Sequence, residues 1–95
     1  MASPRILIGV LDLPGKARDD LAEVVAKGAF AVIATERPEE LPSETELVVA
    51  HVRAVPTRDW SSLTARLPTL AVSDSRLDSD LLKAVDAGVV DYIIE

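Results

Sequence analysis

The chain has 95 residues, 48% of them hydrophobic but only 3% aromatic, and a formal net charge of −6. That length implies one domain, with a core that Val, Leu, Ile and Ala must fill. The acidic balance and scattered Lys and Arg exclude a nucleic-acid surface, the lack of Cys excludes disulfides and thiolate metal sites, and the longest apolar run, 6–11, is too short to cross a membrane.

A cytoplasmic module without a cofactor is the expectation that remains. The first apolar run, residues 6–10 (ILIGV), is continuous, as a strand buried on both faces of a parallel sheet must be. Asp12 follows it, and Pro14-Gly15 reads as a turn without the glycine spacing of a dinucleotide loop. Residues 17–27 carry Leu21, Val24 and Val25 at helical spacing, and Gly28 is placed to stop that helix. A second apolar run covers 30–33. Residues 36–46 contain Pro38 and Pro42, so they hold at most one helical turn.

The third run, 47–50, leads into His51. Residues 58–67 form a weaker helical pattern with Trp60, Leu63 and Leu67 on one face, and Trp60 is expected to pack against the sheet. After a fourth run at 69–72, Asp78 or Ser79 caps a helix carrying Leu81, Leu82 and Val85, which Gly88 ends. Residues 92–94 are the last run. Strands alternating with helices imply βαβ units, and in such sheets ligands collect beyond the carboxyl ends of the strands. Those positions are 11–15, 35–37, 51–56, 73–76 and Glu95.

The segment Lys83-Ala84-Val85-Asp86-Ala87-Gly88-Val89-Val90-Asp91-Tyr92-Ile93-Ile94 resembles a stretch of the receiver domain of bacterial response regulators. In that family Lys-Ala-Leu-x-Ala-Gly-Ala-x-Asp-Tyr-Leu-Leu ends the fourth helix and forms the fifth strand. Residues 68–73 are similar to the family's fourth strand, which ends in a Ser or Thr as this one ends in Ser73. The resemblance implies a flavodoxin-like (CheY-like) α/β fold: a doubly wound, five-stranded parallel sheet in the order 2-1-3-4-5. It covers the whole chain in element order and is specific from about residue 68 onward. The family's fifth helix has no counterpart before Glu95, so a single domain, 1–95, cut from the N-terminal part of a larger signalling protein with its own output domain, is expected.

A working receiver holds a divalent cation on two acids after the first strand and uses an aspartate after the third as nucleophile. A hydroxyl after the fourth strand and a lysine after the fifth bind the phosphoryl oxygens. Carried onto this chain, the acid pair falls on Leu11 and Asp12, the nucleophile on His51, the hydroxyl on Ser73 and the lysine on Glu95. Leu11 cannot ligate a hard cation, no Asp or Glu lies between Leu47 and Arg58, and Glu95 repels a phosphoryl group. The resemblance therefore implies a pseudo-receiver in which these five positions are vestigial.

His51, as the sole histidine, reads as a phosphohistidine, a metal ligand or a pH sensor, or more plainly as a partly buried polar residue at a strand end. Asp12 is a leftover cation ligand or faces the amides of a nearby turn. Ser73 binds an anion with the loop that follows, or only caps the next helix. Tyr92 stands where the family has its switch aromatic, and is expected to be a fixed contact surface.

The function expected is regulation by protein contact without phosphorylation or catalysis. The partner is another protein or a second copy, and the surface is Leu82, Val85, Val89 and Tyr92. One alternative is a small-molecule sensor whose crevice, lined by Leu11, Asp12, His51, Ser73 and Glu95, admits a neutral or cationic ligand. Another is an enzyme pairing His51 with Asp12 or Glu95. Neither nucleic acid nor membrane is an expected partner, and no metal site is expected.

Overall fold

The computed structural model describes residues 6–94 except 14, 29 and 76. Five parallel strands form one sheet in the order β2-β1-β3-β4-β5, as the resemblance implies. They are β1 (Ile6–Leu11), β2 (Phe30–Thr35), β3 (Leu47–His51), β4 (Thr69–Ser73) and β5 (Asp91–Ile94). Three helices accompany them: α1 (Gly15–Ala26), α2 (Trp60–Arg66) and α3 (Ser79–Asp86). Short 3-10 turns at Pro38–Glu40 and Thr57–Asp59 occupy the expected single turn and the entry to α2.

The side-chain period of two sends successive residues to opposite faces, and both faces of β1, β3 and β4 are apolar. Val48, Ala50 and Ala71 pack with Trp60 and Leu63 of α2 and with Leu81 and Ala84 of α3. Ile8, Val10, Val49 and Val72 form the other layer, against which Leu21 of α1 packs. Trp60 is buried on the sheet as expected. A Cβ at Gly9 in β1 would press on the side-chain ends of Leu41 and Thr45, which would have to shift to admit it.

The two layers are unequally covered. On the α1 side Ile6, Val24, Val32 and Ile93 are each 38–46% exposed, because one helix spans a face of five strands. The edge strands are correspondingly less buried than the central three, although all five runs look alike in the sequence.

Helix ends follow local chemistry. Asp78 is the N-cap of α3, its Oδ1 accepting from the backbone N–H of Asp80 at 2.9 Å. Gly28 and Gly88 adopt φ of +88° and +104° just past α1 and α3, where a side chain would be strained. Helix α1 starts at Gly15, two residues earlier than the spacing predicts, so the expected turn at 14–15 holds a helix start instead, although Pro14 itself lies outside the described residues.

Adjacent leucines on α3 face opposite environments, Leu81 being 3% exposed and Leu82 58%. Leu81→Ala is expected to cost about 2–5 kcal/mol, whereas Leu82→Ala should change stability by less than about 0.5 kcal/mol. Urea unfolding followed by circular dichroism checks both, and equal effects would contradict this packing.

Candidate functional site

Strands β2, β3 and β4 run one or two residues beyond their apolar runs, β5 gains a residue at its start, and β1 ends on the apolar Leu11. The ladder continues through polar side chains because backbone pairing does not depend on them. His51 pairs with Val72, and the N–H of Val52 donates to the Val72 carbonyl at 2.9 Å. Leu11, His51 and Ser73 are therefore the last residues of β1, β3 and β4, not loop residues, and all three are fully buried. Asp12, just beyond β1, is exposed and holds the left-handed backbone with φ of +50°, uncommon outside Gly and tolerated by Asp. Glu95 lies outside the described residues.

Leu11, Asp12, His51 and Ser73 share one end of the sheet but not one pocket. Leu11 packs in the α2/α3 layer, and Ser73 faces the same side, two residues beyond Ala71. His51 faces the α1 side, two residues beyond Val49. The sensor reading expected a crevice lined by Leu11, Asp12, His51, Ser73 and Glu95, the last of which is outside the described residues. Of the other four, only Asp12 lines the open cleft at this end. Leu11, His51 and Ser73 are buried because the ladder carries them under the surface, with alternation dividing them between two layers.

His51 is satisfied within the chain. Its Nδ1 accepts from the backbone N–H of Arg53 at 3.2 Å and from Arg53 Nε–H at 3.3 Å. That pattern assigns the ring proton to Nε2, which lies 3.4 Å from Asp74 Oδ1. Arg53 Nη2 in turn stands 3.7 Å from Asp74 Oδ2, an exposed pair of small energetic weight. The imidazole is fully buried, where the plainer reading expected a partly buried polar residue, and both its nitrogens have partners within the chain.

Ser73 is also fully engaged. Its Oγ accepts from the N–H of Ser75 at 3.2 Å and stands 3.0 Å from the Ser75 carbonyl and 3.1 Å from Asp78 Oδ2. One hydroxyl has one proton, so it donates to one of these two oxygens at a time. Asp78 thus joins the end of β4 to the first turn of α3 with two different oxygens. An incoming phosphoryl oxygen would meet a carboxylate already at Ser73, with charge of its own sign.

The cleft left open at the carboxyl ends of β1, β2 and β3 measures 730 Å³. Asp12, Arg18, Thr35, Glu36 and Arg53 supply its polar lining, over Val10, Leu13 and Ala34. Arg18 Nη2 donates to the Leu13 carbonyl at 3.1 Å. Sequence reasoning gave none of Arg18, Glu36, Arg53 and Asp74 a role of its own, although it set the last three in loops where ligands collect. Arg53 was legible as a donor two residues after a strand-end acceptor, but Arg18 reaches the cleft only through the docking of α1. Among the described residues no three His, Asp or Glu side chains gather as a metal site, and no helix is long and apolar enough to cross a membrane.

No family model matches this chain, and no curated protein sequence matches it. Solved structures do. A CheY-like response regulator from Mesorhizobium loti is 17% identical with a TM-score of 0.68, over 97% of this chain and 87% of that one. The phosphorylated cyanobacterial phytochrome response regulator RcpA is 16% identical with a TM-score of 0.67, over 96% of this chain and 81% of that one. A putative pilus assembly-related protein from Burkholderia pseudomallei is 22% identical with a TM-score of 0.59, over 92% and 75%. The chain has the receiver fold.

The Ser73–Asp78 contact makes a stability prediction. Asp78→Ala removes the cap of α3 and a partner of Ser73, and should destabilise by about 1–2 kcal/mol. Because the two side chains share a bond, Ser73→Ala and Asp78→Ala should be non-additive by about 0.5 kcal/mol or more in a double-mutant cycle of urea unfolding. Strict additivity would mean that the hydroxyl does not use Asp78.

Proposed function

We propose that this chain is a signalling domain that acts by protein contact, without phosphorylation or catalysis. Its contact surface is α3 with β5, and its partner is a second copy of the chain. The observation that carries this reading is the distribution of exposed apolar side chains. Among the described residues nine large hydrophobic side chains are exposed, and four of them, Leu82, Val85, Val90 and Tyr92, belong to α3, β5 and the turn between them, apart from Ile93, which lies on the α1 side. Their exposures run from 42% to 63%, in a segment that supplies the last helix and the edge strand. Soluble domains scatter single apolar residues over their surfaces; grouped ones mark a surface that something covers. Val89 is half-buried against the α2/α3 layer and supports the patch from beneath.

Independence from phosphorylation is supported by chemistry at the strand ends. There is no carboxylate between Leu47 and Arg58 to attack phosphorus. The residue at the end of β3 is a buried histidine with both nitrogens engaged, and Ser73 stands beside Asp78. Incubation with acetyl phosphate and magnesium is expected to leave the intact mass unchanged. Beryllofluoride should leave the amide spectrum unchanged. A phosphoryl adduct on this chain would overturn this part of the reading.

Sedimentation velocity across a wide concentration range tests the partner. The chain is expected to form a dimer, and Leu82→Lys, at an exposed site, should weaken it by about tenfold or more without altering the circular dichroism spectrum. A wild-type chain that stays monomeric at every concentration would sink the self-association reading.

A further inference from the structure

The cleft at the ends of β1, β2 and β3 carries a charge arrangement that the contact reading does not use. Two cations, Arg18 and Arg53, and two anions, Asp12 and Glu36, line it. Opposite charges so placed ordinarily pair with each other. Here they do not: the ion pairs among the described residues are His51–Asp74, Arg53–Asp74 and Arg58–Asp59. Neither Asp12 nor Glu36 has a cationic partner there, and Arg18 has no anionic one. Arg18 is instead held by the Leu13 carbonyl through Nη2, and Arg53 by His51 through Nε. Each guanidinium carries five N–H donors, so both keep donors for a ligand while their orientation is already set.

Separated charges of both signs select against simple ions. A bare anion meets the two arginines but also Asp12 and Glu36, and a bare cation meets the reverse. A ligand carrying both charges a few ångströms apart satisfies both sets at once. The remaining lining, Val10, Leu13, Ala34 and Ala54, is apolar and suits a short aliphatic group. The position is also favourable, since β2 and β3 lie on opposite sides of β1, which makes this end of the sheet a topological switch point. The left-handed backbone at Asp12 sits at the same place, where an unusual conformation marks a site worth testing.

We propose that this cleft binds a small dipolar molecule of the α-amino-acid class. The carboxylate is held by Arg18 and Arg53, the ammonium by Glu36 and Asp12, and a short aliphatic side chain lies against Val10 and Ala34. The site is separate from the contact surface on α3 and β5, so either reading can fail without the other. It also differs from the neutral or cationic ligand that the sequence suggested, because the arginines were not expected there.

Titration with L-alanine, monitored by backbone amide shifts, is the test. Shifts at residues 12, 18, 36 and 53 are expected, with a dissociation constant of about millimolar. N-acetyl-L-alanine, which lacks the ammonium, and L-alaninamide, which lacks the carboxylate, should each bind about tenfold more weakly. Arg18→Met should weaken L-alanine and N-acetyl-L-alanine by about fivefold or more while sparing L-alaninamide. Glu36→Gln should weaken L-alanine and L-alaninamide while sparing N-acetyl-L-alanine. Both side chains are exposed, and an unchanged amide spectrum of each free variant checks that its fold is intact. The proposal is overturned if L-alanine produces no shifts at about 50 mM. It is equally overturned if inorganic phosphate binds as tightly as L-alanine and Glu36→Gln changes nothing, which would make the cleft a plain anion site.

Discussion

The ladder that joins β1, β3 and β4 is the constraint on which the rest of this structure depends. A parallel sheet presents apolar side chains on both faces, and these three strands contribute buried side chains to both layers. The α2/α3 layer is thick, with Trp60, Leu63, Leu81 and Ala84 set against Val48, Ala50 and Ala71. The opposite layer has one helix. Uneven cover follows from the count of helices, and it leaves side chains such as Val32 and Ile93 exposed on the edge strands.

The same ladder explains why Leu11, His51 and Ser73 do not line the open cleft. Backbone pairing runs through His51 and Ser73, drawing both polar side chains into the protein. A buried polar group is costly unless it is hydrogen-bonded, so each has partners within the chain. Arg53 and Asp74 serve His51, while Ser75 and Asp78 serve Ser73. These bonds belong to the fold. What stays accessible is the charged rim above them, made by residues from β1, β2, β3 and α1. The crevice at this end of the receiver fold is thus rimmed by charges of both signs.

Two surfaces then stand apart on one small domain. The first is apolar and lies on α3 and β5, where aliphatic and aromatic side chains face solvent. The second is polar and lies across the carboxyl ends of β1 to β3. Water removal is the driving force the first could supply under the proposed contact, whereas directional hydrogen bonds and charge are what the second could offer the proposed ligand. The domain therefore has room for a contact and for a small ligand at once, since the two use different elements of the sheet.

Element order, the parallel character of the sheet and the cap of α3 were legible in the sequence, because each rests on local chemistry. Unalternated runs mean two buried faces, Asp78 before a helical repeat means an N-cap, and Gly28 and Gly88 mean left-handed helix ends. The likeness of residues 83–94 to one family's stretch extended this to strand order. Tertiary structure decided the rest. The apolar runs at 30–33 and 92–94 resemble the central ones, and only the packed structure shows how much of these two edge strands is left uncovered. His51 and Ser73 look like neighbours at strand ends, and only the two-residue alternation shows that they face opposite layers. Arg18 meets Arg53 and Glu36 at one cleft through the docking of α1 against the sheet, a long-range packing event that no local pattern in the chain encodes.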